Sequence, residues 1–292
     1  MRQDLPIRTP MYRQVHRRFS LCAALLVGLA RLALLALLAL LALAAGGLAA
    51  PARAAGLCTA PWMHDGTRLR LDGNGKTPMI VEFTLHDINR DIVDGCEIGL
   101  HIYAKSGLVA LGGRPIETVQ DHRLMVDEAG VVTRVVSTNG RVFAQSEHAD
   151  LVGTVSTAIS GMFLYGAGLA PEAEMLPGDS YDSSFDFDVV SPRLGISIGH
   201  MQAAHARVDV SEREVGPPQT IPTPVGPQPC RPIRYTRTAT LGVLRLGSET
   251  LEPAPTVAHV TDWYCPALSV VVRQEVEQHG ETQVINVVEL QR

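Results

Sequence analysis

The stretch MIVEFTLHDI, residues 79–88, decides the fold. Met79, Val81, Phe83 and Leu85 occupy alternate positions, with Glu82, Thr84 and His86 between them. A period of two suits a strand with one buried face, because successive side chains of a pleated chain point to opposite sides. Just upstream, RLRL at residues 68–71 shows the same alternation, and DGNGK at residues 72–76 joins the two runs. Rich in residues that tolerate positive φ, DGNGK reads as a hairpin turn. A phosphate or calcium loop is the competing reading, but neither the Walker spacing nor the later acidic ligands are there.

The alternation recurs outward from that point, in EIGLHIYA (97–104), HRLMVDEAGVVTRVV (122–136), SFDFDVV (184–190), HARVDVSEREV (205–215), RPIRYTRTATL (231–241) and LSVVVRQEVEQHGETQVINVVEL (268–290). Short turns at residues 127–130 and 279–280 predict antiparallel meanders. The chain is therefore expected to be all-β, or mainly so. In the last run Val270, Val272 and Val276 are expected to face in, Val271, Arg273, Glu275 and Glu277 out, with Gln274 a lone polar break on the inner face. Trp263 and Tyr264 would pack where that strand starts.

One segment departs from period two. ADLVGTVSTAISGMFLYGAGL, residues 149–169, spaces Leu151, Val155, Ile159 and Phe163 four apart, which lines up one face of a helix. Gly153 and Gly161 weaken such a helix, so it would have to lie against a sheet. The expectation is a short helix on the concave side of the sheet, with those four residues as ligand contacts if it acts as a lid. The Pro-rich run at residues 216–232 reads as a rigid crossing loop within one domain.

The N-terminus carries Arg13, Arg17 and Arg18 ahead of a Leu/Ala/Gly run reaching Ala50, then Ala52-Arg53-Ala54. This predicts a secretory signal peptide over residues 1–54 and one exported β-rich domain over residues 55–292. An uncleaved anchor is the alternative, since residues 32–50 hold no charge. Of the 25 basic and 30 acidic side chains, residues 1–54 carry seven arginines and one aspartate, leaving 18 basic, 29 acidic and a formal charge of −11. Such a surface disfavours nucleic-acid binding and peripheral membrane binding by a basic patch. Contact with the membrane is expected only during export or through an uncleaved N-terminal segment.

Cys58, Cys96, Cys230 and Cys265 remain in the exported part, an even number that suits two disulfides in an oxidising compartment. Three pairings are possible; Cys58 with Cys96 and Cys230 with Cys265 are favoured because each pair lies within one half of the chain. Candidate catalytic residues do not emerge. There is no H-E-x-x-H, S-x-x-K or C-x-x-C. Asp179, Asp182, Asp186 and Asp188 lack EF-hand spacing, and Asp186 and Asp188 alternate with Phe185 and Phe187 as an outer strand face would. His200 and His205, five apart, should fall on opposite faces of a strand and not share a metal. No metal or cofactor is expected.

Three pieces carry a resemblance: LPGDSY (176–181), QTIPTPVGPQPCRPIRYTRTA (219–239) and DWYCPALSVVVRQEVEQHG (262–280). Over residues 65–290 the chain resembles bacterial exported proteins of a domain-of-unknown-function family that includes those called TapB-like. Cys265 stands where that family more often has Ser, and the Pro-rich strand start is unusual for it. The resemblance implies a curved antiparallel sheet, a half-barrel or β-clam similar in shape to Lol-type lipoprotein carriers. It supplies no catalytic residues. The leading expectation is a non-enzymatic envelope protein holding an apolar ligand such as a lipid or acyl chain. A structural or assembly protein gripping an envelope partner is the alternative, and an exported hydrolase the third.

Overall fold

Alternation of the kind seen at residues 79–88 becomes antiparallel sheet along the chain. The computed structural model describes residues 56–75, 78–90, 95–108, 114–128, 130–137, 140–145, 149–157, 165, 169, 173–246 and 248–291. The predicted signal segment therefore lies outside the described residues.

A 3-10 turn at Leu57–Thr59 precedes strands β1 (Arg68–Asn74), β2 (Met79–Asn89), β3 (Gly95–Leu108), β4 (Arg114–Asp127), β5 (Val132–Ser137) and β6 (Gly140–Gln145). Then come β7 (Asp150–Thr157), β8 (Met175–Leu176), β9 (Asp179–Val190), β10 (Ser197–Val210), β11 (Arg213–Val215) and β12 (Gln219–Ile221). The last six are β13 (Gln228–Thr240), β14 (Leu244–Leu246), β15 (Glu249–Leu251), β16 (Thr256–Cys265), β17 (Val270–Gln278) and β18 (Glu281–Leu290).

Pairing runs β1-β2-β3-β4-β6-β7-β9-β10-β13-β16-β17-β18 and returns from β18 to β1, so twelve strands close a ring and the others attach to it. The expected half-barrel is corrected to a closed barrel. The reason is β1, which bonds to both sides: Leu69 stands opposite Phe83 of β2 and opposite Leu290 of β18. Closure satisfies the backbone groups an open sheet leaves bare at its edges.

Turn chemistry sets the register. The β17–β18 hairpin closes on His279 and Gly280, both at positive φ, between the paired Gln278 and Glu281. That two-residue geometry matches the strand twist and is the one in which glycine is favoured. The Pro-rich run, expected as a crossing loop, is instead the β12–β13 hairpin, with Gln219 opposite Cys230.

At one end of the ring, the start of β1, β3, β13 and β17 meets the end of β2, β4, β16 and β18. Here the core is dense: Leu57, Ile98, Tyr264, Val270 and Ile233 are fully buried. Val271, expected outside, is also buried, because a bulge between Trp263 and Tyr264 shifts the β16–β17 register and sets Tyr264 opposite Val271. The N-terminal arm closes this end. Trp62 and Met63 are buried, the Trp62 indole N–H donates to the Leu268 carbonyl, and Arg90 donates to the carbonyls of Cys58 and Met63.

The expected helix is overturned over its first half. Asp150–Thr157 is strand β7, bonded to β6 on one side and β9 on the other. Four-residue spacing is also an even number, so Leu151 and Val155 share a strand face as readily as a helix face. The glycine that weakened the helix has a use in the sheet: Gly153 stands opposite Phe187, and a Cβ there would lie 2.8 Å from the Phe187 ring. Ile159 and Phe163 lie outside the described residues.

Candidate functional site inside the ring

Cross-strand partners share a face, so the inner lining can be followed from strand to strand. On β6 and β7 it comprises Val142, Ala144, Leu151, Gly153 and Val155; on β9 and β10, Phe185, Phe187, Val189, Met201 and Ala203. Phe185 and Phe187 stack with ring centroids 5.0 Å apart. Ala203 is buried, yet Leu151, Val155, Phe185, Phe187, Val189 and Met201 keep part of their surface open. An apolar wall that faces inward without being filled is unusual, since interiors pack like organic crystals. The outer face of the same strands carries Asp186 and Asp188, both exposed, as the sequence predicted.

Further along the lining the character changes. Val260, Asp262 and Tyr264 alternate inward on β16, Ile233, Tyr235 and Arg237 on β13, and Gln274 and Val276 on β17. Asp262 is fully buried. Its Oδ2 accepts from the hydroxyls of Tyr165 and of Tyr235, the latter at 3.0 Å, and its Oδ1 accepts from the Gln274 side-chain amide at 2.8 Å. The polar break expected at Gln274 is thus explained by a buried carboxylate across the strand pair. Burial pushes the Asp262 carboxyl above the ordinary carboxylate range, with the three hydrogen bonds and Arg237 acting against that rise. Burial likewise raises Tyr165, Tyr235 and Tyr181, and holds Tyr264 at about 12.

Arginines tie the connector between β7 and β9 across this region. The Arg213 guanidinium lies 6.0 Å from the Tyr165 ring centre and 5.8 Å from that of Tyr235, within cation–π range, and donates to the Pro177 carbonyl at 2.7 Å. Arg231 donates to the carbonyls of Ala173 at 2.7 Å and Gly216 at 3.0 Å. Leu169, between these ties, is buried. Chemically the cluster can orient a polar group.

Both expected disulfides are present. Cys58 of the N-terminal turn bonds Cys96 of β3, and Cys230 bonds Cys265 directly across β13 and β16. Such bonds persist in oxidising surroundings, which fits a place outside the cytoplasm. The two histidines depart from expectation. A bulge between Ala203 and Ala206 puts one extra residue into β10, so both alanines are buried and His200 and His205 are both exposed. His200 lies 3.3 Å from Asp186 and from Asp188. Among the described residues no group of three or more metal-ligating side chains converges, and no helix is long and apolar enough to cross a membrane.

No family model matches the chain, so the TapB-like likeness remains a resemblance, and no curated protein matches it. Two solved structures are distantly similar. A Parabacteroides distasonis protein, provisionally classed as a lipoprotein, aligns at 12% identity over 78% of this chain and 96% of its own, with a TM-score of 0.42. A Bacteroides fragilis protein with a YmcC-like fold, provisionally classed as exported, aligns at 12% identity over 78% and 97%, with a TM-score of 0.39.

Proposed function

We propose that this is an exported, non-enzymatic envelope protein that holds an apolar ligand, a lipid or an acyl chain, inside its barrel. The observation that carries the reading is the half-open inner wall of Leu151, Val155, Phe185, Phe187, Val189 and Met201. Apolar side chains facing the inside of a closed sheet gain nothing from remaining unfilled, and a ligand would complete their burial at about 25 cal/mol per Å² of apolar surface. Export through residues 1–54 belongs to the same proposal and is supported by the two disulfides. Gripping a protein partner by strand addition has less support, because closure pairs both edges of most of the ring's strands among the described residues.

The test is mass spectrometry of lipids extracted from protein purified gently from its own envelope, paired with titration of a neutral hydrophobic dye. Stoichiometric lipid, and a saturable dye site weakened by Phe187→Asp, are expected. A lipid-free protein with no saturable dye site sinks the proposal.

A further inference from the structure

Arg237 is the arginine of the inner lining whose charge is left over. By register it faces inward, opposite Val210 of β10 and Ala258 of β16, both buried, and it is itself half-buried. The other inward arginines are occupied: Arg213 with the Pro177 carbonyl and, at 4.0 Å, with Asp179, and Arg231 with the carbonyls of Ala173 and Gly216. Among the described residues Arg237 has no hydrogen-bond acceptor and no ion pair. Its field reaches Tyr181, Tyr235 and Asp262. None of these pairs with it: the Asp262 oxygens accept from Tyr165, Tyr235 and Gln274, and neither they nor the tyrosine hydroxyls lie within hydrogen-bond or ion-pair distance of the guanidinium. A guanidinium has five donors and cannot shed its charge, and the Arg237 nitrogens are not among the buried polar atoms that lack a partner, so an oxygen-bearing group can reach them.

The surroundings say what that something is. Val210, opposite Arg237, is paired on its other side with Asp179, two residues from Tyr181. From Tyr181 the inner face of β9 runs through Ser183, Phe185 and Phe187 to Val189, about 26 Å of strand. The positive group therefore stands at the head of a long apolar run. We propose that the ligand is an anionic amphiphile, an acyl chain ending in an acidic oxygen head group. The head group pairs with Arg237 and the chain lies over Phe185 and Phe187. This rests on the apolar-ligand reading above and adds the sign of the head group to it.

Displacement of a neutral dye by four twelve-carbon amphiphiles tests it: laurate, dodecyl phosphate, dodecanol and dodecyltrimethylammonium, each below its micelle threshold. Both anions should displace the dye about tenfold or more tightly than dodecanol, the increment of a charge-assisted hydrogen bond, with the cation weakest. Arg237→Gln should bring the anions to within about twofold of dodecanol while dodecanol affinity and melting temperature stay put. Arg237→Lys should keep part of the preference. Equal binding of laurate and dodecanol by the native protein overturns the inference, as does an anion preference that survives in Arg237→Gln. Failure of all four to bind overturns the apolar-ligand reading itself.

Discussion

The two halves of one barrel wall are built from the same alternating pattern and end in opposite states. Around β1–β3 and β16–β18 the inward residues Leu71, Ile98, Val260, Val270 and Ile285 are shut away from water, backed by the N-terminal arm and Tyr264. Around β7, β9 and β10 the inward residues are as apolar, yet Leu151, Phe185, Phe187 and Met201 keep open surface. Both halves even show apolar side chains on the outside, such as Val257 on one and Phe143 and Val152 on the other. Composition does not separate the halves. What separates them, among the described residues, is the N-terminal arm packed at the dense half, and that is why one half reads as a core and the other as a site.

The sharpest break of this comparison is at the dense end. Trp62→Ala removes a buried indole and its bond to the Leu268 carbonyl, and should cost about 3–5 kcal/mol. Chemical denaturation measures it, and a loss as small as that of an open-half variant would show that the arm is not part of the core. Next in size, replacing Cys230 and Cys265 together by alanine should cost about 2–4 kcal/mol, because the bond joins neighbouring strands at the same packed end. Peptide mapping without reductant should recover the Cys58–Cys96 bridge intact in that variant.

A third measurement concerns the polar boundary between the halves. Burial raises the Asp262 carboxyl in the folded state above its unfolded value, so the folded protein binds the extra proton between the two. Stability from this group is therefore greatest at the acid side of that window and declines as pH rises through the folded value. Asp262→Asn should flatten that slope. The substituted side chain would keep a carbonyl acceptor for Tyr165 and Tyr235, and Gln274 need only turn its amide over to accept from the new NH2 group. Melting temperatures across the window, native against variant, decide it; an unchanged slope would place the pH dependence elsewhere. Smallest of all, Phe187→Ala should cost about 1 kcal/mol or less, since the ring is only half-buried, while dye binding weakens. A loss like that of Trp62→Ala would make the open half an ordinary core.

Much of this was legible in the sequence. Period two gave the strands, the even cysteine count gave the number of bridges and nearness along the chain their favoured pairing, and Phe185 against Asp186 gave the inner and outer faces of β9. The misreading at residues 150–157 has a plain cause: spacing of four is even, so it satisfies strand and helix alike, and only the length of an uninterrupted run could have arbitrated. Asp262 and Arg237 were missed although alternation pointed at them. Val260-Asp262-Tyr264 and Ile233-Tyr235-Arg237 each place a charge on an inward position, the same signal that marked Gln274. The closing of the ring was not legible, because nothing local in β1 says that its second edge meets a strand from the far end of the chain.

That last pairing has a consequence for how the molecule comes into being. Leu69 finds Leu290 and Asn74 finds Val284, so the seam of the barrel joins the earliest strand to the latest. Every other neighbouring pair in the ring can zip up as the chain is delivered, but this one must wait until β18 has arrived. A chain threaded outward from its N-terminus would spend that interval with β1 bonded on one side only, its other backbone edge bare and ready to pair with another molecule. The last ten residues of sheet are therefore a lock as much as a wall: until they are in place the barrel has no inside.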